Sequence, residues 1–209
     1  MKKFGIIAGI LAVIIVIILV FVAIVGIAAT GTYNRLISLS QAADSKWAEV
    51  ENVYQRRADL IPNLVATVSG AANFEKSTLV EVTQARASVG KVQINASAAP
   101  TDPNQLAQFD QAQQQLSSAL SHLMVVVERY PNLTATENFR DLQAQLEGTE
   151  NRIAVARMDF NQAVQAYDTA TKSFPAFLFH FPNKPYFSAA PGSEIAPKVQ
   201  FNFNGNSTN

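Results

Sequence analysis

The sequence predicts an all-α protein: an N-terminal transmembrane helix, an up-and-down antiparallel four-helix bundle with long helices, and an extended aromatic C-terminal tail. Three observations carry this. Phe4 to Ala29 holds no charged residue, and roughly 20 apolar residues in a helix suffice to cross a hydrocarbon core about 30 Å thick. Beyond Tyr33 the apolar residues recur on steps of three and four, the spacing of one helix face. The segment Phe174 to Phe187 carries Pro175, Pro182 and Pro185, so it cannot form a long helix, and it is too apolar for a solvated linker.

The anchor is rich in Ile and Val, which in water would favour a strand. In lipid a lone segment must satisfy its backbone groups internally, which leaves only the helix. Lys2 and Lys3 precede the run and the next charge is Arg35, so the positive-inside bias places the N-terminus in the cytoplasm and the bundle outside. The competing reading is a cleavable signal peptide, because Gly26-Ile27-Ala28 offers small residues. The apolar core of such a peptide is normally only about 7–15 residues, which favours a retained anchor. The expected divisions are residues 1–32 for the cytoplasmic stub and membrane helix, 33–173 for the bundle, and 174–209 for the tail.

The first bundle helix carries Leu36, Ala43, Trp47, Val50, Tyr54, Ile61, Leu64 and Val68 on one seam. Pro62 lies inside it and should kink it, a turn at Pro62 being the alternative. Gly70 offers a stop, and Asn73 an N-cap for a short second helix bearing Leu79, Val82 and Val89. The polar stretch Gly90 to Thr101 reads as a surface loop. Asp102-Pro103 then opens a third helix with the seam Leu106, Phe109, Gln113, Leu116, Leu120, Leu123, Val127 and Tyr130. Pro131 stops it, and Thr134 with Glu137 forms a capping box for the last helix. That helix carries Phe139, Leu142, Leu146, Thr149, Ile153, Ala156, Phe160, Ala163, Tyr167 and Ala170. As helices, the first and last segments span roughly 57 and 58 Å and the middle two roughly 26 and 40 Å, so the long ones should pair and return the tail to the bilayer surface.

Composition removes several function classes. Lys plus Arg equals Asp plus Glu at 16 each and the basic residues are scattered, so no nucleic-acid footprint exists. The absence of cysteine excludes disulfides, thiolate catalysis, Cys-ligated metals and lipobox-type attachment. His122 and His180 are the only histidines, without carboxylates at ligand-like spacing, and there is no G-x-S-x-G, H-E-x-x-H or P-loop. No catalytic residue, cofactor or metal is expected.

Two constellations remain. Arg56, Arg57 and Asp59, with Glu150, Arg152 and Arg157 at similar height on the last helix, are read as a polar layer fixing helix register or as a partner-binding site. Arg57 falls on the seam, where an unpaired charge is costly, so a partner such as Glu150 or Asp159 is expected, and Asp59 is expected to pair with Arg157. Phe174, Phe177, Phe179, Phe181, Tyr186 and Phe187 form either an extended cover across the bundle or a belt at headgroup level. Lys198 to Asn204 alternates as a half-buried strand, with Val199, Phe201 and Phe203 on one face. With no second strand in the chain, this suggests assembly between copies.

Tyr54 to Val65 (YQRRADLIPNLV), Tyr130 to Leu133 (YPNL), Leu146 to Arg157 (LEGTENRIAVAR), Tyr186-Phe187 and Pro197-Lys198-Val199 together resemble the LemA family of bacterial membrane proteins. Lys91 to Asp110 and the last six residues fall outside the resemblance. It implies a single-pass protein of the bacterial inner membrane with a helical domain, and it implies no reaction. The expected function is a membrane-anchored, non-enzymatic scaffold or adaptor of the cell envelope, a homo-oligomer bound to the bilayer through residues 4–29. Alternatives are an accessory regulatory subunit of a membrane protease or phosphatase, and a lipid-organising module at the membrane surface.

Overall fold

The computed structural model describes residues 2–92 and 98–188. It contains α1 (Lys2–Ser69), α2 (Lys76–Val89), α3 (Pro103–Val127), the single turn α4 (Pro131–Thr134), α5 (Glu137–Lys172) and a 3-10 turn (Ala176–Phe179). No strand occurs among the described residues. The strand-like segment with Val199, Phe201 and Phe203 lies outside them.

α1 is continuous for 68 residues, about 100 Å, and is long and apolar enough to cross a membrane. From Val13 to Ile27 its large apolar side chains stand exposed, a surface that water penalises and lipid does not. From Leu36 onward one stripe is buried: Leu36, Ala43, Trp47, Val50, Tyr54, Arg57, Ile61, Leu64 and Val68.

The helix runs unbroken through Pro62, which decides against a turn there. Proline has no N–H, so the carbonyl of Ala58 loses its helical donor. The replacement comes from α2, where Arg86 Nε donates to Ala58 O at 3.0 Å. Arg86→Ala is therefore expected to orphan that carbonyl and cost about 1–3 kcal/mol. Denaturant unfolding of the detergent-solubilised chain measures this, and unchanged stability would mean that water serves the carbonyl.

Three boundaries differ from those the sequence suggests. Asn73 does not cap α2: it adopts φ 61° in the turn after Gly70, its carbonyl accepts from Tyr130 Oη at 3.0 Å, and Glu75 stands at the N-cap. The cap of α5 is Thr136, whose hydroxyl accepts from Phe139 N. Thr134 is absorbed into α4, its hydroxyl donating to Pro131 O. Pro131 thus opens a turn of its own, since its fixed φ suits the first helical position. Toward the end of α5 the buried positions become Val164, Asp168 and Thr171 in place of Ala163 and Ala170, because the tail covers a neighbouring stripe. Asp102 caps α3 as its sequence suggests, accepting from Asn104 N at 2.9 Å.

The core forms two apolar clusters. The one nearer the anchor gathers Trp47, Val50, Tyr54, Leu106, Phe109, Ile153, Phe160, Val164 and Phe187. The distal one gathers Ile61, Leu64, Val68, Val82, Leu116, Leu123, Phe139 and Leu146. The gap between them falls at one level on three helices: Arg57 between Tyr54 and Ile61, Gln113 between Phe109 and Leu116, Glu150 between Leu146 and Ile153.

Candidate functional site: the buried arginine layers

Arg57 is 2% exposed, and its guanidinium fills the gap between the clusters. Nη1 donates to Ser117 Oγ at 2.8 Å and to Glu150 Oε2 at 2.9 Å. Nη2 donates to Gln113 Oε1 at 2.6 Å and to the Gln113 carbonyl at 3.3 Å. The guanidinium carbon lies 5.1 Å from the centre of the Tyr54 ring. One planar fork thus joins α1, α3 and α5, geometry that lysine's point charge could not reproduce. Glu150 is 58% exposed, so water solvates the carboxylate while the protein solvates the arginine, which limits the desolvation cost of the pair.

Arg157 builds a second layer, joined to the first through Tyr54. Its Nη1 is 2.9 Å from Asp110 Oδ1 and 3.4 Å from Tyr54 Oη. Its Nη2 donates to the Ser188 carbonyl at 3.2 Å, and the guanidinium lies 4.4 Å from the centre of the Phe187 ring. The expected Asp59–Arg157 pair does not form. Asp59 is exposed and accepts from Gln55 Nε2. It stands two residues beyond Arg57, about 200° round the helix, so equal height with Arg157 does not bring it to the same face. Arg56 and Arg152 are also exposed and lie outside both layers.

A third cluster, which sequence reasoning missed, fastens the tail. Lys184 is buried, and its Nζ is 2.8 Å from Asp44 Oδ1. The same carboxylate oxygen accepts from Ala99 N at 2.9 Å, so α1 holds both the α2–α3 connection and the tail. Tyr186 Oη donates to Asp168 Oδ2 at 3.3 Å. Asn161 on α5 pairs with the Phe187 backbone in both directions, each bond 2.9 Å, as a neighbouring strand would. Phe187 then inserts among Trp47, Phe109 and Phe160. It is a core residue, correcting its reading as a membrane-surface or assembly residue. Tyr186 keeps half its ring in solvent but is tied to Asp168, and Phe181 lies against Tyr33 and Tyr167. Phe174 and Phe177 turn outward, and Phe179 is part-exposed against Tyr33. The signal that could have exposed this cluster was the apolar ring of Phe187 flanked by polar anchors, but the partners stand 18 to 140 residues apart.

Burial shapes the ionisation here. It raises the Tyr54 hydroxyl above its ordinary value of 10.0, with Arg157 and Arg57 offsetting part of the effect. It also raises Tyr167, helped by the charges of Asp168 and Asp44, and Tyr186, helped by Asp168. Glu51 is held above the ordinary carboxylate range by burial and is drawn back toward it by the Trp47 indole. That indole N–H faces Glu51 without reaching hydrogen-bond geometry.

For the tyrosines the folded pKa exceeds the unfolded one, so the unfolded chain loses the proton first. Their stabilisation is complete below pH about 10 and disappears as pH rises toward the folded values. The melting temperature is expected to fall across that window together with the rise of tyrosinate absorbance, and Tyr54→Phe should flatten the fall. A melting temperature indifferent to pH there would contradict it.

Chemically, the layers join helices. Each buried cation is held by neighbouring elements, and no group of three or more His, Asp or Glu side chains able to hold a metal occurs among the described residues. His122 makes an exposed pair with Glu81 at 2.8 Å.

The model of the LemA family matches residues 46–201, which takes in both arginine layers and, apart from Asp44, the cluster that fastens the tail. Two relatives from Paramagnetospirillum magneticum, the magnetosome proteins MamQ 1 and MamQ 2, are each 27% identical over 189 residues, covering 80% of this chain and 70% of theirs. The magnetosome protein MamQ of Magnetospirillum gryphiswaldense is 24% identical over 193 residues, with the same coverage.

Proposed function

Because this chain belongs to the LemA family, we propose that it acts as a membrane-anchored, non-enzymatic scaffold or adaptor of the bacterial cell envelope. The observation that carries this reading is the use of the inward charges: buried Arg57 and Lys184 and half-buried Arg157 all serve to fasten one helix or the tail to another. A charge so committed fixes how neighbouring elements meet. The relatives are named as magnetosome proteins, and their names state no reaction.

In this reading residues 1–32 form the cytoplasmic stub and membrane helix, residues 33–173 the bundle, and residues 174–209 the tail. The bundle is antiparallel and four-helical, running up and down. Support comes from Lys46 meeting Asp159 while Arg57 meets Glu150, and from Glu81 and Glu75 of the α2 region meeting His122 and Arg129 beside α3. Lys2 and Lys3 ahead of the apolar run support an N-terminus in the cytoplasm of an inner-membrane protein. A periplasm-dependent reporter fused after Asn209 is expected to be active, and activity of a cytoplasmic reporter instead would reverse the orientation. The exposed stripe of Arg56, Asp59 and Arg152 is the face offered to partners, and copies associate through the tail.

The deciding experiment is purification of the full chain in mild detergent with its bound proteins. Self-association, with non-enzymatic envelope proteins at most, supports the scaffold. A stoichiometric protease or phosphatase would overturn it in favour of a regulatory subunit.

A further inference from the structure

The exit of α1 from its apolar run and the end of α5 meet at one aromatic junction. Tyr33 lies four residues beyond Ala29, about 6 Å along the axis. Its ring is 5.8 Å from Phe179 and 5.6 Å from Phe181. The polar interface adds about 5–8 Å on each side of the hydrocarbon core, so a spanning α1 sets these rings at headgroup depth.

The 3-10 turn Ala176–Phe179 presents an apolar face at that depth. Phe174 is 82% exposed, Leu178 57% and Phe177 53%, while Ala176 between them is buried. The rings of Phe174 and Phe177 lie 6.3 Å apart. The turn is held from behind: Phe177 N donates to Ser173 O and Leu178 N to Pro175 O, His180 reverses the chain at φ 51°, and Tyr167 Oη donates to Pro182 O at 2.8 Å. A loop closed by so many bonds could have turned its phenylalanines inward, as it does Ala176. Lys172, at the last turn of α5, is 68% exposed beside it, where a cation can meet lipid phosphate.

We propose that the Phe174–Leu178 turn is a second membrane contact, inserting Phe174, Phe177 and Leu178 into the headgroup–acyl boundary of the leaflet from which α1 emerges. The exposed surface of α1 and this face are continuous through Tyr33, so the occupant is the same bilayer. One continuous helix alone would leave the tilt and axial rotation of the chain free, whereas two contacts joined by Tyr33 hold its angle. The buried Lys184–Asp44 pair and the Phe187 plug then become the fastening that keeps the turn at this height. The proposal rests on α1 spanning the membrane, and its test separates the two.

The chain has no cysteine, so single-site labelling needs no background changes. Leu178→Cys, Val20→Cys and Val125→Cys, in the full chain, are labelled with a fluorophore and reconstituted in vesicles of phosphatidylcholine and phosphatidylglycerol. Val125 is exposed on the part of α3 packed against Ile61 to Val68, far from the anchor. Lipids carrying a nitroxide near the headgroup should quench the label at 178 several-fold more than that at 125, and deep nitroxides should quench the label at 20. Quenching at 20 but not at 178 overturns the second contact and leaves the span standing. A label at 178 shielded from water yet unquenched assigns the face to another copy and also overturns it. Absence of quenching at 20 overturns the span itself, and the proposal with it.

Discussion

Trp47→Ala is expected to destabilise the helical fold by about 3–5 kcal/mol, the range for removing a buried aromatic from a core that cannot collapse around the hole. The indole is fully buried. Its ring lies 5.4 Å from Phe109 on α3, 5.4 Å from Phe160 on α5 and 6.0 Å from Phe187 of the tail. Each neighbour comes from a different element, so no single shift fills the cavity, and the Phe187 plug loses the ring it stacks on. Trp47→Phe should recover much of the loss, because it keeps most of the volume and no bonded indole N–H is sacrificed. Val155→Ala, at an exposed position, should stay within about 0.5 kcal/mol of wild type. Denaturant unfolding followed by circular dichroism makes the comparison. A loss below about 1 kcal/mol for Trp47→Ala would show that the aromatic cluster does not join the three elements.

Arg57→Ala is expected to cost about 2–4 kcal/mol. The guanidinium's removal leaves Gln113 Oε1 buried without its 2.6 Å donor and empties the space beside Tyr54. Glu150 contributes little to that cost because its carboxylate already reaches water. Glu150→Ala should cost at least as much, about 3–5 kcal/mol, because the buried guanidinium keeps Ser117 and Gln113 but loses its counter-charge. Arg57→Met retains the stem's packing beside Tyr54 but still leaves Gln113 Oε1 without its donor. It should recover part of the loss, while Asp59→Ala should change stability by less than about 0.5 kcal/mol. Equal losses for Ala and Met at position 57 would place the whole effect in the hydrogen bonds. A large effect at Asp59 would contradict the geometry of the layer.

The seams of α1, α3 and α5 were legible because burial in a helix leaves a local trace: the apolar side chains repeat with the period of the backbone. Arg57 was legible for the same reason, as a charge at a seam position that must find a partner. Asp110, Asp44, Asp168 and Lys184 left no such trace. Their roles depend on which helix faces meet, and a carboxylate on an amphipathic helix looks the same in sequence whether it meets solvent or a lysine 140 residues away. Asp59 shows the converse error, since height along a helix is readable from numbering but its direction round the axis must also match.

The amino-acid sequence by itself determined the local choices: an uncharged run that only a helix can carry through lipid, amphipathic helices beyond it, an Asp-Pro start to α3, and prolines that end helical structure before the tail. The tertiary structure decided which groups satisfy one another. It supplied Arg86 to the carbonyl that Pro62 leaves free, replaced Asp59 with Asp110 as the partner of Arg157, and divided the aromatic tail between a buried plug at Phe187 and an exposed turn at Phe174–Leu178. The physical reason is that backbone hydrogen bonds in a helix close within four residues, whereas the desolvation of a buried charge or ring is compensated only by whatever surface the folded chain brings against it.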